Sequence, residues 1–164
     1  MKRAWVGVVV AAWLACPPPA TALPLGYRVD LSTPDFGQED RLAALVNSVR
    51  TYHGFRVLDQ DALLRRAARA HSVDMALHGF FGHEDSQGRP FADRFVPLMR
   101  TWIVGENIAI ARSAEEANGE FLHSPPHVVN MLDPRWTRLG VGVASVGLMG
   151  YAYTEDFAGP PVMP

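Results

Sequence analysis

The last third of the chain constrains the fold most. LGVGVASVG, residues 139–147, and LMGYAYTEDFA, residues 148–158, are two β-rich runs meeting around Gly147. Val141 and Val143 alternate with glycines, and Tyr151 and Tyr153 alternate about Ala152. Period-two alternation on both sides of a turn residue predicts a hairpin. Everything that reads as helix lies mainly upstream, and helices followed by strands predict an α+β domain, an antiparallel sheet covered by helices.

The upstream helices are legible from their apolar spacing. In EDRLAALVNSVRTYHG, residues Leu42, Leu45, Val46 and Val49 share one face and Gly54 supplies a stop. A second helix is predicted from Asp59 or Asp61 to Leu77, with Leu64, Ala68, Ser72 and Met75 inward, Arg65, Arg66 and Arg69 mostly outward, and Gly79 as its end. PFADRFVPLM reads as a short helix and IVGENIAIA as a strand or extended chain. Ser113-Ala114-Glu115-Glu116 is a capping box for a helix through about His123. Ser124, Pro125 and Pro126 then read as the N-cap and first turn of a separate short helix ended by Asp133-Pro134.

The first 22 residues read as a processing signal. Lys2 and Arg3 are followed by an uncharged apolar run and by Ala20-Thr21-Ala22, a small-x-small cleavage pattern, so cleavage is expected near Ala22 and a mature start at Leu23. The run is shorter than the roughly 20 residues a spanning helix needs. A lipid anchor on Cys16 is the weaker alternative, because Trp13 stands where such sites want leucine. Residues 23–37 are a Pro- and Gly-bearing lead-in, and residues 38–164 are expected to form one domain. Past the signal, 13 arginines face 17 Asp plus Glu, which argues against nucleic acid and against a polybasic membrane patch. The single cysteine leaves with the signal. A secreted or periplasmic domain without disulfides must rely on an ordinary core, which suggests a bacterial envelope.

Three polar residues need a reason for being where they are. His83 follows an aromatic pair in GFFGHEDSQG, Glu106 interrupts the apolar VGENIAIA, and His127 opens a helix behind two prolines. A helix N-terminus disfavours an imidazolium and so leaves His127 neutral, the form that binds a metal or accepts a proton. A buried Glu106 requires a cation, a metal or N–H donors, or else it braces the adjoining loop through backbone N–H groups. His71, His78 and His53 read as packing and capping groups, Asn130 as a hydrogen-bonding residue or plain helix surface, and Tyr151, Tyr153, Trp102 and Trp136 as core or sheet aromatics. No serine lies in a nucleophile elbow, and there is no HExxH.

Taken in order, LVNSVRTYHG, LLRRAARAHSVDMA, GFFGHEDSQG, VGENIAIA, SPPHVVNML and LGVGVA with YAYTEDFA resemble the CAP superfamily of cysteine-rich secretory, antigen 5 and pathogenesis-related proteins, in its disulfide-free bacterial branch. The resemblance implies a three-layer α-β-α sandwich with a central antiparallel sheet and a cleft holding His83, Glu106 and His127. Eukaryotic members of the family usually add a second carboxylate at the place where this chain, like bacterial relatives, has Ser124. Some members bind zinc or another divalent cation through the two histidines; others bind lipids. Three readings therefore stand open: a metal-capable site of His83, His127 and Glu106, a polar trio in which Glu106 orients one ring, and a catalytic centre with Glu106 as proton acceptor. The expected partner is an extracellular ligand such as a lipid, peptide or cell-wall component, taken up by a monomer with no transmembrane span.

Overall fold

The computed structural model describes residues 35–94, 101 and 103–161. The signal, its cleavage site, Cys16 and Trp102 lie outside the described residues, as does the C-terminal half of PFADRFVPLM, whose residues 91–94 are helical. Besides that segment, the described residues include helices α1 (Phe36–Tyr52), α2 (Ala62–His78), α3 (Ala114–His123) and α4 (Pro125–Met131) and strands β1 (Asp59–Gln60), β2 (Val104–Ala111), β3 (Arg138–Ser145) and β4 (Tyr151–Ala158). Helix α1 starts inside the expected lead-in because the Asp35 side chain caps it, accepting from the Gln38 N–H. The left-handed Gly79, φ 66°, ends α2 where the sequence placed its stop.

The sheet order is β1-β3-β4-β2. The predicted hairpin pairs β3 with β4 in antiparallel register, and β2 pairs antiparallel with the outer side of β4. The sheet is nonetheless mixed, because the two-residue β1 adds to β3 in parallel. Its short pairing fastens the loop between α1 and α2 to the start of β3.

Alternation along the strands sorts side chains into two faces. Leu139, Val141, Val143, Tyr153 and Phe157 enter a core with Leu42 and Val46 of α1, Ala117 and Phe121 of α3 and Met131 of α4. On the other face Gly140 and Gly142 leave room for α2 alone. A Cβ at Gly140 would stand 2.2 Å from the Arg65 nitrogen, and one at Gly142 2.0 Å from that of Arg69. The sandwich is thus three layers, with α2 lying backbone to backbone on β3 and its Ser72 hydroxyl bonded to Gly142 O and the Thr154 hydroxyl. Glu39 of α1 accepts from Arg65 and Arg69 of α2, tying the outer layers together.

Candidate functional site

Strand β2 forms one edge of the sheet, and its two faces are occupied differently. Glu106 points to the face that α2 covers, while Asn107 points to the face covered by α3 and α4. Each side of this edge presents one of the histidines singled out in the sequence.

On the first side, the Glu106 side chain is fully buried and His83 is a quarter exposed. Glu106 Oε1 lies 2.8 Å from His83 Nδ1, and Oε2 accepts from Arg94 Nη2. The same guanidinium donates through Nη1 to His83 O at 2.8 Å, so Arg94 clips together the backbone of one residue and the carboxylate of the other. Asp156 lies directly across from Glu106 in the β2–β4 register and is completely buried. Among the described residues neither of its oxygens has an N–H or hydroxyl donor, and the Glu106 carboxyl stands beside it. Burial raises both. The opposing Arg94 charge holds Glu106 at about 7, while burial and then the Glu106 charge push Asp156 well above the ordinary carboxylate range. When ionised, Glu106 only accepts, so the proton of a neutral His83 then sits on Nδ1 and Nε2 carries the lone pair. Burial and the nearby Arg94 charge both lower the His83 pKa, which keeps that lone pair available at neutral pH.

The loop carrying His83 is fastened at both ends to one side of α2. His71 Nε2 bonds Gly82 O at 2.9 Å, and Asp74 accepts from both the N–H and the hydroxyl of Ser86 at 2.7 Å. His71, read from sequence as a packing group, therefore positions the residue before His83. Its pKa falls to about 4, chiefly through burial, so it is a neutral N–H donor to a carbonyl.

On the second side, α4 presents His127. The expected cap is not formed: Ser124 has extended backbone but makes no side-chain bond to the helix. The N–H groups a cap would take belong to the second and third helical residues, and the second is Pro126, which has none. Instead α4 is held by its flank. Asn107 Nδ2 donates to His127 O at 3.3 Å, Asn130 Nδ2 donates to Glu106 O at 3.1 Å and to Asn107 Oδ1 at 3.0 Å, and Trp136 Nε1 donates to Asn130 O at 2.6 Å. Buried Arg50 fixes the far end by donating to the carbonyls of Met131 and Asp133. The His127 ring packs edge-on against Phe121, centroids 5.1 Å apart, and its pKa is lowered first by burial and then by the field of His83.

The structure therefore joins His83 to Glu106 directly and brings His127 within electrostatic reach of His83, without a hydrogen bond from His127 to either. Glu106, with both oxygens engaged, stands behind His83. Among the described residues no group of three or more His, Cys, Asp and Glu is arranged to hold a metal ion. His53, His78 and His123 stay outside, His78 bonding Asp74 and His123 the Gly119 carbonyl of its own helix. Asn130 proves to be a central hydrogen-bonding residue. Sequence reasoning missed Arg94, Glu155 and Asp156. The acidic pair was detectable by the argument applied to Glu106, since YTEDFA sets two carboxyls inside an apolar strand.

Comparison with known proteins now decides the family: residues 43–157 match the cysteine-rich secretory protein family. The chain belongs to that family. It is 30% identical over 148 residues to YkwD, an uncharacterized protein of Bacillus subtilis, covering 86% of this chain and 54% of the relative. It is similar to the structure of an extracellular SCP-domain protein from Bacillus anthracis, with a TM-score of 0.68 and 29% identity over 74% of this chain and 40% of the other. An outer surface protein of Borrelia burgdorferi shares the fold, with a TM-score of 0.68 at 14% identity, covering 74% and 91% of the two chains. The chain thus spans about half the length of YkwD and less of the Bacillus anthracis protein. Among the described residues no helix is long and apolar enough to cross a membrane.

Proposed function

We propose that this member of the family acts outside the cytoplasm as a binding module, and that its cleft takes up ligand through the neutral imidazoles of His83 and His127. The observation that carries the reading is the construction behind His83. Glu106, buried between Arg94 and Asp156, holds one ring nitrogen and leaves the other free, an arrangement costly to maintain for packing alone. Extracytoplasmic action is supported by the leader-like N-terminal sequence and by the extracellular character of the Bacillus anthracis relative.

The donor chemistry fits a divalent cation held by two imidazoles, with water or a bound molecule supplying the remaining ligands. Glu106 then orients His83 and raises its basicity from behind. A cation so held would act as a Lewis acid toward the bound ligand. A hydrolytic role with Glu106 as proton acceptor requires its carboxylate to release His83 or Arg94 first, so the binding reading is preferred.

Titration calorimetry with zinc chloride tests it. The purified chain should bind zinc, His83→Ala and His127→Ala should each abolish binding, and Glu106→Gln should weaken it roughly 10- to 100-fold. Equal affinity in wild type and both histidine variants would refute the assignment of the cleft.

A further inference from the structure

Behind His127 there is a second buried carboxyl with an unused oxygen. Glu155 is fully buried in the middle of β4, on the face toward α3 and α4. Its Oε2 accepts from Asn107 Nδ2 at 3.0 Å, while Oε1 has no hydrogen-bond partner among the described residues. His127 Nδ1 is also buried and also without a partner. One amide links the two residues, because Asn107 Nδ2 gives one hydrogen to Glu155 Oε2 and the other to the His127 carbonyl. The orientation of that amide is fixed, since its Oδ1 accepts from Asn130. Phe121 closes the ring of His127 from the side. A buried acceptor and a buried ring nitrogen are each costly to leave unsatisfied, and polar atoms of this kind are ordinarily bridged by an internal water.

We propose that Glu155 is the positioning residue for His127, its Oε1 bonded to His127 Nδ1 through one buried water, so that His127 Nε2 is the nitrogen turned to the cleft. The two imidazoles are then set by carboxyls from neighbouring register positions of the same strand pair. Glu106 serves His83 from one face of the sheet, and Glu155 serves His127 from the other. Burial raises the Glu155 pKa to about 8, in keeping with a carboxyl that shares a hydrogen with its surroundings rather than pairing with a cation.

This inference rests on the reading of the cleft as the functional site, but it concerns the ligand-free protein and is tested there, independently of zinc binding. In side-chain ¹⁵N spectra of wild type, His127 should show one protonated and one unprotonated nitrogen. In Glu155→Leu its two nitrogens should move toward averaged shifts as both tautomers become populated, with His83 unchanged. Glu155→Gln, whose amide oxygen keeps the Asn107 contact and whose amide N–H is left toward Nδ1, should again fix a single tautomer of His127. Unchanged His127 shifts in a folded Glu155→Leu protein would overturn the proposal. Should that variant fail to fold, a crystal structure of the wild type decides. A water within about 3 Å of both Glu155 Oε1 and His127 Nδ1 supports it, and a different partner for either atom overturns it.

Discussion

His83 and His127 lie on opposite faces of a single edge strand, and they are held by different means. His83 is gripped through its ring by Glu106, through its carbonyl by Arg94, and through its loop by His71 and Asp74. For His127 the direct bonds run through backbone and helix, from Asn107 to its carbonyl and through Asn130, with Phe121 against the ring. A loop has no internal hydrogen-bond ladder, so a histidine displayed on one needs external fastening at every point. A histidine on a helix inherits its position from the helix, and only the helix needs fastening.

The largest test of this contrast is Glu106→Ala. It would leave the Arg94 guanidinium and the His83 ring buried without their common partner, and we expect a loss of about 3–5 kcal/mol in chemical denaturation. Chemical shifts should change around residues 82–86 and much less in α4; equal disturbance on both sides would show that the two histidines are held as one unit.

Acid should separate the sides further. His71 has a folded pKa of about 4, below the ordinary imidazole value of 6.5, so the unfolded chain takes up a proton over that interval that the native chain refuses. Its stabilising contribution is complete above the unfolded value and is lost as pH falls toward 4. The advantage of wild type over His71→Gln should therefore shrink by roughly 2–3 kcal/mol between about pH 7 and about pH 4. An advantage constant with pH would mean that His71 is protonated in the native state. At the small end, His53→Ala should change stability by less than about 0.5 kcal/mol, since this exposed residue closes α1 through its backbone N–H; a larger loss by thermal unfolding would assign its ring a role that neither side of the cleft needs.

The sequence made one half of this comparison more legible than the other. Helix periods, the hairpin and the glycine stop were read from local pattern, whereas the register of its strands comes from the structure. The β1 pairing was hidden because Asp59 and Gln60 carry no strand signal; they pair because the core brings them beside β3. At the site, the cost of burying Glu106 announced that it must have partners, and the structure supplies Arg94 and His83. Which cation would answer could not be read, since Arg94 is one of many arginines and its selection is a matter of tertiary placement. Ser124 shows the opposite failure. Its local signal for a cap is strong, yet Pro126 removes one of the N–H groups a cap would bind.

The close seating of α2 on Gly140 and Gly142 has a consequence for evolution and engineering alike. At these two positions the helix that carries His71 and Asp74 has no strand side chain beneath it, so the strand backbone acts as a mechanical stop that sets the height of the helix. Adding one methyl group at Gly142 would lift the Arg69 turn, and His71 lies only two residues farther along. The tolerance on where His83 sits is therefore machined on the far side of the helix, at positions that never meet a ligand.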